Sequence, residues 1–280
     1  MARRLIAIAG LCGAVVAARG EPESAAPDKS GYTAVNPTPR ELRRELSADR
    51  PDATESPYSV DAGAVQLEMS FAEWTLNREG GRERDTLDAA PLNLKIGLLN
   101  DVDVQIVFTP WERAEDDAGG VERGVGDFGV RVKWNLWGND GGATALALLP
   151  FVVFPTGSDG ISAEQVEGGV VVPFAMELPA GFNLGAQAGI EWVKSDDDDG
   201  TDTVFGHTVN VNREIVGPLG GFVELIGEVA LDHGDYHPSL GAGLTFGVTE
   251  DVQLDAGVRL GLDNDDTDDL VVFAGVTVRF

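Results

Sequence analysis

Period-2 alternation, recurring from residue 65 to residue 280, constrains this chain more than any other feature. In the last stretch Leu270, Val272, Ala274, Val276, Val278 and Phe280 fall on one face, and Val271, Phe273, Gly275, Thr277 and Arg279 on the other. Before it, Val252, Leu254, Ala256, Val258, Leu260 and Leu262 alternate with Gln253, Asp255, Gly257, Arg259 and Gly261, and residues 240–248 repeat the pattern. Successive side chains of a β-strand point to opposite faces, so each run reads as a strand with one apolar face. Residues 65–71, 92–98, 102–108, 126–136, 182–192 and 219–231 read the same way, while 145–154, 170–178 and 204–216 are less regular. Pro150 and Pro173 sit inside two of the irregular runs. A proline within a sheet goes to an edge or a bulge, so local irregularity is expected there.

A soluble sandwich alternates too. Two features favour a transmembrane barrel. The second face is often glycine or charge, as in Asp127, Gly129, Arg131, Lys133 and Asn135; a barrel encloses such a face around a polar lumen, where opposite charges pair. The chain also ends on Phe280 with apolar residues at every second position upstream, which resembles the insertion signal of outer-membrane barrels. Connections alternate short and long. Short ones fall at 100–101, 139–142, 179–181, 217–218 and 249–251, and long ones at 78–88, 112–123, 157–165, 194–202, 232–237 and 263–269. Short periplasmic turns and long extracellular loops give an up-and-down antiparallel β-barrel of about twelve strands, all-β in class, with both termini periplasmic.

The first residues are not part of that barrel. Arg3 and Arg4 precede an apolar stretch at 5–16 and small residues at 17–20, the pattern of a secretory signal peptide, so 1–20 are expected to be removed. Residues 21–60 are rich in Pro, Ser, Asp and Glu and form an N-terminal periplasmic segment, with the barrel at 61–280. A short helix is expected over 39–46, capped by Thr38 with Pro39 as its first residue. The segment has two readings, a periplasmic tail or a plug against the barrel mouth.

A net charge of −27 argues against nucleic-acid partners, because phosphate neutralisation needs clustered Lys and Arg. The single cysteine, Cys12, lies in the export signal, which leaves no disulfide and no cysteine site. His233 and His237 suggest a weak metal loop without identifiable further ligands, and His207 is isolated, so no metal or cofactor is expected. No phosphate loop, zincin helix or serine elbow appears, and the chain is not expected to be an enzyme. Aspartates at 196–199 and 263–269 read as a solvated surface.

By pleat parity Glu68, Lys95, Asp103, Asp127, Arg131, Lys133, Glu191, Glu224, Glu228, Asp255, Arg259 and Arg279 point inward and are the candidate lumen-lining residues. Asp49 to Tyr58, leading into Val65-Gln66-Leu67-Glu68, then Gly126-Asp127 through Lys133, and Leu148-Leu149-Pro150-Phe151 with Phe154-Pro155-Thr156-Gly157, resemble the family of outer-membrane barrels named for the meta-pathway of phenol degradation. The likeness covers roughly 49–280, with Val153 where that pattern has a lysine. It implies passive, substrate-biased transport of small, aromatic or apolar molecules. The alternative is a closed structural or surface-anchoring barrel. Expected partners are outer-membrane lipid and lipopolysaccharide, the barrel-assembly machinery and a small-molecule solute.

Overall fold

The computed structural model describes residues 27–79, 82–195, 200–232, 234, 236–263 and 268–280; the export signal expected at 1–20 lies outside them. The β-structure is one antiparallel sheet of fifteen segments whose last segment pairs with its first, which closes it into a barrel. Three strands are interrupted, so the segments make twelve strands: β1 (Val65–Glu79), β2 (Arg82–Ala89 and Leu92–Gly97), β3 (Val102–Phe108 and Trp111–Asp116), β4 (Val121–Gly124 and Phe128–Trp137), β5 (Thr144–Phe154), β6 (Glu167–Leu178), β7 (Phe182–Lys194), β8 (Thr201–Val216), β9 (Leu219–Ala230), β10 (Tyr236–Thr249), β11 (Val252–Gly261) and β12 (Asp268–Arg279). The seam runs from Gln66 opposite Arg279 to Asn77 opposite Asp268. Beyond it, the Phe280 N–H donates to the Val65 carbonyl at 2.8 Å.

Two stretches expected as long loops are largely strand. The ladder continues through Glu79 opposite Arg82, and through Glu115 opposite Val121. At this height both faces of the wall meet water, so the apolar alternation that marks a strand in sequence disappears. Charge pairs take its place: Arg78 of β1 with Glu83 of β2 at 2.8 Å, and Arg84 of β2 with Glu122 of β4, across β3, at 2.9 Å.

The prolines act as expected. The β4–β5 ladder skips from Arg131 opposite Phe151 to Trp134 opposite Leu148, around Pro150. The β5–β6 ladder skips from Leu146 opposite Phe174 to Leu149 opposite Val171, around Pro173.

The outer face is apolar and exposed. Val223, Leu225, Leu240, Leu244 and Leu260 are each 41–61% exposed, a continuous patch that a soluble monomer would bury. Aromatic residues bound it at two levels. Trp134, Trp137, Phe182 and Phe246 lie near the short turns, and Trp111, Trp192 and Tyr236 near the long connections. Trp134 pairs with Val102, and Trp111 lies nine residues further along β3. At the usual rise and tilt that is about 23 Å along the barrel axis, close to the height of about 25 Å typical of a lipid-facing band. The chain is an outer-membrane type of β-barrel.

The helix expected over 39–46 is only a three-residue 3-10 turn, Arg40–Leu42. Thr38 makes no cap; Pro39 precedes the turn, and Arg43 is already extended (φ −66°, ψ 145°). Tertiary bonds outweigh helix propensity here. Arg43 donates to the Phe280 carbonyl at 3.0 Å, and Arg44 to the Asn100 carbonyl at 2.8 Å and to Asp140 at 3.2 Å. From Arg44 the chain runs into the barrel interior as far as Asp61 and then enters β1.

Candidate functional site

The interior is built from the inward faces of the strands and from residues 44–61. On β1, β2 and β4 the inward positions include Glu68, Lys95 and Lys133, each at most 2% exposed. Isolated charges cannot remain in such a place, so each requires a partner. Asp49 supplies it. Its carboxylate accepts from Lys133 at 2.8 Å through both oxygens and from Lys95, which also meets Glu68. Glu68 in turn accepts the Asp49 backbone N–H at 3.1 Å. Arg131 binds Glu55 at 2.5 Å, so three cations face three carboxylates. Although burial alone would raise it, the Lys133 and Lys95 ammonium groups hold the Asp49 carboxyl well below the ordinary carboxylate range. Glu55 goes the other way: burial, then the nearby Asp49, push it up to about 7 against the pull of Arg131 and Lys133.

On the opposite wall the tip of the segment, residues 52–55, is held by hydrogen bonds. Glu224 accepts the backbone N–H groups of Ala53 (2.9 Å) and Thr54 (2.8 Å) and the Thr54 hydroxyl. Gln187 bonds both ways, accepting from the Glu55 N–H at 2.7 Å and donating to the Ala53 carbonyl at 3.0 Å. Asn210 donates to Asp52 at 2.7 Å. Burial, and the facing Glu224, push the Asp52 carboxyl well above its ordinary value. Further along the segment, Arg50 binds Asp255 at 2.8 Å and Ser70 at 2.6 Å, and the Val60 N–H donates to Asp103 at 2.9 Å. At the short-turn end Asp61, 1% exposed, meets Lys29 at 3.5 Å and Arg44 at 3.3 Å. Arg279 closes this end by donating to Asp251 at 2.8 Å and to the Arg44 carbonyl at 2.7 Å.

Eight of the twelve inward candidates therefore engage residues 44–61: Glu68, Lys95, Asp103, Arg131, Lys133, Glu224, Asp255 and Arg279. Asp127 does not stand free in the lumen. It anchors the β5–β6 connection, accepting from Gly157 N–H (2.7 Å), the Ser162 hydroxyl (2.8 Å) and Ala163 N–H (2.8 Å). Glu191, Glu228 and Arg259 sit nearer the long connections, in register with Gly169, His237 and Gly241 respectively. Val153 faces inward opposite Gly129. The histidines separate. His207 stacks on the outer face between Phe205 and Tyr236, His237 lies inside 3.3 Å from Asp263, and His233 is outside the described residues.

Parity could not reveal the other half of the site. Asp49, Arg50, Asp52, Thr54 and Glu55 lie in a proline-broken stretch without alternation. Gln187, Thr208 and Asn210 are inward but uncharged. Between the segment and the walls of β6–β11 lies a cavity of about 800 Å³, lined by Tyr58, Asn183, Gly185, Asn212, Phe222 and Thr245 among others. Apolar side chains also face inward: Phe222 and Ile226 on β9, and Val271 and Phe273 on β12, each at most 8% exposed.

Residues 48–280 match the model of a family described as "Putative MetA-pathway of phenol degradation". Among solved structures the chain is similar to an outer membrane channel from Pseudomonas putida F1, with a TM-score of 0.64 at 13% identity over 84% of this chain and 100% of that one. It is also similar to the β domain of the Bordetella autotransporter BrkA (TM-score 0.51, 13% identity, 77% and 98% covered). A third is the transport unit of the autotransporter AIDA-I from Escherichia coli (TM-score 0.52, 8% identity, 84% and 92% covered). At such identities the likeness concerns the fold. Among curated proteins, no match was found.

Proposed function

The chain belongs to the family of the meta-pathway of phenol degradation, and on that premise we propose that its barrel carries small molecules passively across the outer membrane, with residues 44–61 as a removable closure. The observation that supports this is the chemistry of the closure. The segment is held by ion pairs and side-chain hydrogen bonds to the wall, which can be exchanged for water, and a cavity of about 800 Å³ lies beside it. In this reading the short turns and both termini face the periplasm, the long connections face outward, and Phe280 serves as the assembly signal. The inward charges set what enters. The inward aromatic and aliphatic groups of β9 and β12 favour aromatic or apolar cargo.

Deleting residues 21–60 tests the proposal. In planar bilayers the truncated barrel shows a conductance several times that of the full mature chain, with unchanged heat-modifiable mobility on gels. If neither form conducts or takes up solute, the barrel is a closed structural or surface-anchoring one and the transport reading fails.

The closure also responds to pH. Docking raises the Asp52 and Glu55 carboxyls, Glu55 from an ordinary 4.5 to about 7, so the docked state binds more protons than the free segment. Docking is therefore favoured as pH falls through that window and opposed above it. Asp49 pulls the other way only below the ordinary aspartate value of 3.8. Conductance of the full chain falls between about pH 8 and about pH 5, and the truncated barrel lacks this dependence.

A further inference from the structure

One pair of cations serves neither the lumen nor the closure. On the outward face of the wall extension above Trp111, Arg113 of β3 lies directly opposite Arg123 of β4. Opposed residues on neighbouring antiparallel strands have Cβ atoms about 5 Å apart, and like charges there are destabilising unless an anion sits between them. Arg113 has one partner, Glu115, on its own strand. Arg123 is exposed and has no side-chain partner among the described residues. At the same end Arg78, Arg84 and Lys194 are each bonded to a carboxylate, at 2.8, 2.9 and 2.6 Å. In a chain of net charge −27, an arginine left free opposite a second arginine is an expensive arrangement.

The level of the pair identifies what neutralises it. Trp111, 37% exposed, belongs to the aromatic belt and marks the edge of the apolar band. The arginines lie one outward-facing position above it, about 5 Å further along the axis, at headgroup height. The next outward level carries Asp85 and Glu115, which face each other in register. The outer face is thus layered: aromatic, then cationic, then acidic. Guanidinium groups bind phosphate oxygens bidentately, and two of them side by side fit a phosphate monoester held at that height.

We propose that Arg113 and Arg123 form a binding site for a phosphate of the outer-leaflet glycolipid, the lipid A portion of lipopolysaccharide. The site rests on the orientation given above, with the long connections outward. It fastens the extended β2–β4 wall to the membrane surface.

The probe is bisphosphorylated lipid A added to the full mature chain in detergent, with retention after delipidation read by native mass spectrometry. The R113Q/R123Q variant retains at least about tenfold less than the parent, as expected for losing two charge-assisted contacts. Arg123→Lys keeps most of the retention. Dephosphorylated lipid A shows no difference between parent and variant, and parent retention survives a chelator. Three results overturn the site: equal retention by the double variant; equal, arginine-dependent retention of phosphatidylglycerol, which marks a general anion site; or loss with chelator but not with substitution, which assigns the lipid to cations bridged by Asp85 and Glu115. Heat-modifiable mobility establishes that the variant is folded. Bilayer conductance of the same sample stays at the parental value, so failure here and failure of the transport reading are separable.

Discussion

Replacing Asp49 with asparagine opens the barrel. Among the described residues Asp49 is the one carboxylate that both Lys95 and Lys133 touch, and those lysines are 1% and 0% exposed. Asparagine keeps the shape and the backbone N–H to Glu68, but it removes the charge. Its amide presents donors to two ammonium groups that need acceptors. Lys95 keeps Glu68, while Lys133 is left with Glu55 at 3.7 Å, which Arg131 already holds. Removing one partner of a buried ion pair typically costs about 3–5 kcal/mol, because the other charge is stranded in a poorly solvated place. The barrel wall does not depend on Asp49, since its ladder is continuous without the segment. The destabilisation therefore falls on the docking of residues 44–61, and water reaches the two lysines when the segment leaves. The expected result is a several-fold rise in bilayer conductance and protease cleavage within residues 44–61, with the barrel still heat-modifiable. Adding Lys133→Met to Asp49→Asn removes one stranded charge and recovers part of the closure. A folded Asp49→Asn barrel with parental conductance and an intact segment would show that the ion-pair cluster does not hold the closure.

How far this arrangement could be read in advance depended on periodicity. β10 and β11 carry an apolar face against lipid and a polar or glycine face inside, so they are legible residue by residue; β9 and β12 also alternate, but they add Phe222, Ile226, Val271 and Phe273 to the inner face. Counting alone points Glu224, Asp255 and Arg279 away from the apolar face, and in the structure they bond to Thr54, Arg50 and the Arg44 carbonyl. The extensions around Arg84 and Arg113 were not legible, because above the membrane neither face is apolar. Glu83, Glu115 and Glu122 then look like a loop although they sit in a ladder. The partners of Asp127 were not legible for a related reason. Parity tells which way a side chain points, but not that the β5–β6 connection folds back and places three donors on it. The segment was the hardest part. Asp49 and Thr54 have no periodic context, and their partners Lys95, Lys133 and Glu224 are 46, 84 and 170 residues away. What the sequence did contain was an unexplained excess: inward charges on β1, β2 and β4 that a wide aqueous lumen would not require.

The same parity predicts opposite outcomes for two adjacent residues. Val130 of β4 points outward, in register with Ile106 on one side and Val152 on the other. It lies four residues from Trp134, which places it about 10 Å above the lower aromatic level and near the middle of the apolar band. A lysine there costs about 2–4 kcal/mol at the bilayer midplane, and its ammonium cannot reach either headgroup region without distortion. Val130→Lys should therefore reduce the yield of heat-modifiable barrel several-fold. Arg131 points inward, and its side chain meets Glu55 rather than lipid. Arg131→Ala removes no contact that the wall needs, so the barrel assembles at the parental yield. What it changes is the closure. Glu55 loses its nearest cation and retains only Lys133 at 3.7 Å, so burial and Asp49 raise it further and its charged form is held less well. Conductance of Arg131→Ala at neutral pH should exceed that of the parent, and the excess should diminish on acidification as Glu55 takes up its proton. Equal loss of barrel from the two substitutions would mean that β4 is wrongly phased. The inward assignment of Lys133 and Asn135 would then fall with it.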